Sequence, residues 1–163
     1  MRSGRSVRKL LFLLVFSAGL LSAGEARAQL TCGVSGTTVA FGTYSPASVT
    51  PRDSTGTVSV TCNALIALFV SFQVQLSTGG SGSYAARTMV SGANTLNYQL
   101  HTTALRNTVW GNGTGGTSQI SFSSPVAVFP LAINYTVYGR IPALQTSTRT
   151  GSYTDTVTVT LIY

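Results

Sequence analysis

Residues 151–163 read GSYTDTVTVTLIY, and this stretch decides the fold. Asp155, Val157, Val159, Leu161 and Tyr163 alternate with Thr156, Thr158, Thr160 and Ile162. A period of two places the Val, Leu and Tyr side chains on one face of a strand and the threonines on the other, the pattern of a half-buried β-strand. The same alternation recurs upstream. Val58, Val60 and Cys62 oppose Thr57, Ser59 and Thr61; Leu68, Val70, Phe72, Val74 and Leu76 oppose Ser71, Gln73 and Gln75. Leu96, Tyr98 and Leu100 oppose Asn97, Gln99 and His101, while Ile133, Tyr135, Val137 and Ile141 oppose Asn134, Thr136, Tyr138 and Arg140. Shorter runs at 38–44, 87–90 and 119–122 bring the expectation to seven or eight strands, separated by turn signals such as Ser45-Pro46 and Gly79-Gly80-Ser81-Gly82. Spaced amphipathic strands with no helical period between them predict an all-β antiparallel sandwich.

The other end of the chain has a different character. Arg2, Arg5, Arg8 and Lys9 precede an apolar run at 10–21, and Ala26 and Ala28 stand at the −3 and −1 positions of an A-x-A cleavage site. This predicts a signal peptide over 1–28 and a single domain over 29–163. The run is shorter than the roughly 20 residues that span a bilayer, so no stable membrane span is expected.

Loss of that segment removes five of the ten basic residues. Arg52, Arg87, Arg106, Arg140 and Arg149 then face Asp53 and Asp155, a net charge of +3. Five scattered arginines with no lysine do not form the basic stripe that phosphate backbones require, so nucleic acid is not an expected partner. Cys32 and Cys62 both lie in the exported part, where oxidising conditions favour a disulfide that ties the mature N-terminus to the run at 57–62. Two cysteines and one histidine fall short of a zinc site, and no cofactor is expected.

Catalytic groups are scarce. Two aspartates give little scope for paired-carboxylate chemistry, and His101 falls on the polar side of its strand, where a surface histidine is expected rather than a triad member. Asp155, at the start of the last strand, is expected to accept hydrogen bonds from loop N–H groups. The only tryptophan, Trp110, precedes the glycine-rich stretch 111–116. It either caps one end of the core or, with Asn112, forms a surface-binding loop that stacks on a sugar or anchors a partner.

Taken in order, Phe41-Gly42-x-Tyr44, Val58-x-Val60-x-Cys62, Tyr98-x-Leu100, Val109-Trp110-Gly111-Asn112-Gly113, Tyr135-x-Val137-Tyr138-Gly139-Arg140-Ile141-Pro142 and Gly151-x-Tyr153-x-Asp155-x-Val157-x-Val159 resemble the spore coat protein U domain. That family includes the pilins and tip adhesins of archaic (Csu-type) chaperone-usher pili. Asn112 departs from the Asp that the family usually shows in W-G-D-G. The resemblance implies an immunoglobulin-like sandwich lacking its final strand, a periplasmic chaperone, an outer-membrane usher and other pilus or coat subunits as partners, and a place on the surface of a Gram-negative cell. A sandwich without one strand exposes an apolar groove and an unpaired edge, which a donor strand fills by β-augmentation. Val157, Val159, Leu161 and Tyr163 are then the candidate donor-contacting residues.

Pilin subunits of the family carry a dozen or more alternating residues before the first cysteine. Cleavage after Ala28 leaves only Gln29, Leu30 and Thr31, a reach of about 10 Å, so the expectation is a subunit that accepts a strand without donating one. The alternative reading, from a different class, is a soluble secreted binding module with a complete sandwich.

Overall fold

A computed structural model describes residues 30–64 and 69–163. The expected signal peptide and its cleavage site, and Leu68 of the third run, lie outside the described residues. Among the described residues no helix is long and apolar enough to cross a membrane.

The described residues form eight strands: β1 (Thr31–Gly36), β2 (Arg52–Asn63), β3 (Val70–Leu76), β4 (Arg87–Ser91), β5 (Asn94–His101), β6 (Ile120–Ser124), β7 (Leu131–Ile141) and β8 (Val159–Ile162). One sheet has the order β1-β2-β7-β5-β4 and the other β6-β3-β8, and every strand pairing is antiparallel. The two inner faces meet over a core that includes Val58, Val60, Val70, Phe72, Val74, Leu96 and Leu100. These are the apolar phases of the alternating runs, so hydrophobic burial sets the register of each strand.

Cys32 and Cys62 are bonded, and they stand directly opposite each other in the β1–β2 ladder. The disulfide therefore fixes an edge strand to its neighbour. β1 had no clear alternating signal, because TCGVSG offers only Val34 and two small residues beside the cysteine.

Residues 38–44 do not form the expected strand. The Ala40 and Phe41 carbonyls accept hydrogen bonds from Ser54 Oγ–H at 2.6 Å and Arg52 Nε–H at 2.8 Å, and Gly42 turns the chain with φ 68°. Side chains of β2 thus take the groups that a ladder would have used. The segment lies on the inner face of the first sheet, over a depression made by Gly56 and Gly139. A Cβ at Gly139 would meet Val39 Cγ1 at 2.7 Å and Phe41 Cζ at 2.8 Å, so a larger residue would dislodge both side chains.

The C-terminal run is a strand over less of its length than its pattern predicts. Only Val159–Ile162 pair, against Gln73–Leu76 of β3. Upstream, Thr154 makes an isolated bridge to Val90, and the alternation of half-buried and exposed residues continues without a ladder.

Candidate functional site

Between the two sheets, on the β1–β8 side, lies an open cleft of about 980 Å³. Residues 37–44 form one wall, residues 148–157 with Val159 the other, and Val58, Leu96, Leu100 and Val137 lie at its floor. β8 is hydrogen-bonded to β3 along one edge only; its other side approaches β1 without pairing, and Val159 lines the cleft. Inward-facing Val34 of β1, and Val157, Val159 and Leu161 of the C-terminal run, pack against the core yet remain half-exposed. Their counterparts in the middle of the sandwich, Val60, Val70 and Val74, are 0–1% exposed. The sandwich is closed at its centre and open along this seam.

Of the four expected donor-contacting residues, Val157 and Val159 line the cleft. Leu161 packs at the core margin beside it. Tyr163 does not point inward: it is 57% exposed and borders a groove on the outer face of the second sheet. The ladder ends at Ile162, one residue before Tyr163.

One end of the cleft is polar. Asp155 Oδ2 accepts from the Tyr98 hydroxyl at 2.5 Å, and Oδ1 accepts from the backbone N–H groups of Gly80 and Thr156, both at 2.8 Å. The loop N–H partner expected from sequence is thus Gly80. Burial first, and then the hydrogen bond and charge of Asp155, push the Tyr98 phenol well above its ordinary range. Gly79 sits against the carboxylate at φ 69°, where only glycine combines that backbone with that approach.

Trp110 is fully buried, so it belongs to the core and not to a surface-binding loop. Its Nε1–H donates to the Val74 carbonyl at 3.0 Å, and its own carbonyl accepts from Arg87 Nη2 at 2.7 Å. Asn112 remains outside, its Oδ1 accepting from the Thr114 backbone and hydroxyl. The tryptophan goes inside because a buried indole needs one acceptor, and β3 supplies it.

Arg87 is the functional-looking residue that sequence reasoning passed over. It is 0% exposed, its guanidinium donates to the Ser77 carbonyl, to Trp110 and to Gln99 Oε1, and it lies 5.2 Å from the Tyr84 ring centroid. Burial lowers its pKa, but an arginine starts so high that it stays a cation. Its place at the start of a run of strand formers gave no sign of burial; the one available clue was an arginine in the apolar phase of β4, with Met89 two residues on.

His101 is also inside, at 6% exposure, against the expectation of a surface position. Its Nδ1 lies 3.1 Å from the Tyr138 carbonyl, so the neutral ring donates from Nδ1. Burial holds its pKa down. Asp53 is engaged elsewhere, by a two-point pair with Arg140 at 2.7 and 2.8 Å and by Arg106 at 3.3 Å, and those cations lower its pKa. His101, Asp53 and Asp155 therefore have separate structural partners. No group of three or more potential metal ligands occurs among the described residues.

A family model for the Spore Coat Protein U domain matches residues 18–160. Among solved structures, the chain is similar to a chain of the CsuC–CsuE chaperone–tip adhesion subunit pre-assembly complex from the archaic chaperone-usher Csu pili of Acinetobacter baumannii, with 25% identity and a TM-score of 0.56. The likeness covers 83% of this chain and 40% of that one, so the chain spans two-fifths of the length of that relative. A comparison with curated protein sequences finds no match. Matched by that model over most of its length, the chain belongs to the Spore Coat Protein U domain family.

Proposed function

We propose that this chain is a non-enzymatic structural or adhesive subunit of a chaperone-usher type pilus or cell-surface coat. In this reading residues 1–28 direct export, a periplasmic chaperone and an outer-membrane usher handle the subunit, and a strand from the chaperone or a neighbouring subunit enters the cleft beside β8. The observation that carries it is the open seam: inward apolar side chains left half-exposed next to a strand with one free edge.

The physical argument is complementarity. An exposed edge invites pairing with another chain, and an apolar cleft beside it rewards alternating side chains. Each donor Val or Leu buried there contributes roughly 1.5–3 kcal/mol, and the donor's backbone satisfies the free N–H and C=O groups of β8. Membership of a family with a chaperone-bound pilus subunit among its structural neighbours supports the same partners.

A strand supplied in cis tests this. An Asn-Gly turn and the segment Thr-Val-Thr-Val-Thr-Val-Thr, fused after Tyr163, would fold back antiparallel to β8. The fusion is expected to raise the urea midpoint and to suppress binding of an apolar dye, while a control with lysine at the valine positions does neither. Unchanged stability and dye binding in the valine fusion would overturn strand acceptance.

A further inference from the structure

The outer face of the second sheet is polar but uncharged. The register sets Ser123 beside Ser71, Ser121 beside Gln73 beside Ile162, and Gln75 beside Thr160. Gln75 Nε2–H donates to Gln119 Oε1 at 2.7 Å, beside the groove but not in its lining. The serines are short, so beside the half-exposed Gln73 the surface dips into a groove of about 380 Å³. Phe72 and Phe122, whose rings pack in the core on the other side of the sheet, line it beneath, and Ile162 and Tyr163 border it. Ile162 and Tyr163 are 48% and 57% exposed, and no lining residue carries a charged side chain.

We infer that this groove is a binding subsite for a short stretch of neutral polysaccharide. A sugar ring presents an apolar C–H face that packs on an exposed aromatic, here Tyr163. Its hydroxyl groups need donors and acceptors together, which the hydroxyls of Ser71, Ser121 and Ser123 and the amide of Gln73 supply. Competing occupants fit less well. An anionic ligand would lose hydration with no cation to replace it, and an apolar strand would bury the serine hydroxyls without partners. The groove lies on the opposite face of the sheet from the strand-accepting cleft, so both are open to occupation at once. The inference extends the adhesive reading above and does not depend on strand acceptance.

The test is affinity electrophoresis of the exported chain in native gels that contain hydroxyethylcellulose, dextran or laminarin, with heparin as the anionic control. Retardation by at least one neutral polymer is expected. Tyr163→Ala should weaken it roughly tenfold, the loss of one stacking contact, and Ser121→Glu should abolish it, with urea midpoints unchanged because both side chains are exposed. Normal mobility in all three neutral gels, retardation by heparin alone, or retardation that survives both substitutions would overturn the subsite. Running the saccharide assay on the unfused chain and the urea assay on the fusion separates the two readings. An unfused chain that is not retarded while its fusion gains stability overturns the saccharide subsite alone, and an unfused chain that is retarded while the fusion gains nothing overturns strand acceptance alone.

Discussion

Tyr98 on β5 and Asp155, 57 residues later in the chain, are joined by a 2.5 Å hydrogen bond that closes the polar end of the cleft. The pair ties the first sheet to the segment entering β8, and so fixes where the cleft wall begins. Asp155→Ala leaves the Tyr98 hydroxyl and the Gly80 N–H without their acceptor. A loss of about 1–3 kcal/mol in urea unfolding is expected. In the native protein the Tyr98 phenol should titrate well above a free tyrosine, and Asp155→Asn should bring it partway down, since burial remains; ultraviolet titration reads this directly.

Acid should weaken the protein in two separate windows. His101 has a folded pKa below its unfolded value, so the unfolded state takes up the proton first and stability falls as pH drops from about 6.5 toward the folded value. Asp53 is also depressed, by its hydrogen bond to Arg140 and the charges of Arg140 and Arg106. Its contribution is present above the unfolded carboxylate pKa near 4 and is lost as pH falls through the lower folded value. Urea midpoints measured from pH 8 to pH 2 should show both declines. His101→Gln should erase the upper one and Arg140→Gln should shrink the lower one.

Gly139→Ala should destabilise by about 1–3 kcal/mol, because the new methyl group overlaps Val39 and Phe41. Val39→Ala in the same chain should recover part of that loss, whereas the two changes would simply add if the segment 37–44 were not seated on β7. A double-mutant cycle in urea separates these outcomes.

Reduction of Cys32–Cys62, or its replacement by serine, should cost roughly 3.6 kcal/mol in the chain-entropy description of a 30-residue separation. The loss should fall on β1, an edge strand that pairs only with β2. Hydrogen exchange in residues 31–36 is therefore expected to accelerate more than in β3, whose two neighbours are intact.

Much of this architecture was legible in order of sequence. Runs at 57–62, 96–101 and 133–141 became β2, β5 and β7 because period-two alternation is a local property that burial of one face enforces. The disulfide was legible from the count and location of the cysteines. Residues 38–44 look like those runs and still stay out of the ladders, because Ser54 and Arg52 reach across and take the Ala40 and Phe41 carbonyls. Trp110, Arg87 and His101 were placed by distant acceptors: the carbonyls of Val74, Ser77 and Tyr138. No spacing rule reports such partners, since each lies 10 to 37 residues away along the chain.

Alternation and composition alone determined an all-β chain, two amphipathic layers and a disulfide, because each follows from residues close together or from simple counts. The tertiary structure decided which edge stays open. Val157 and Val159 have the pattern of core residues, and they become a cleft wall because the run entering β8 is hydrogen-bonded into a sheet only from Val159 on, and there only to β3. Whether an apolar face is covered depends on what the rest of the chain places beside it, and that is settled only when the sheets have packed.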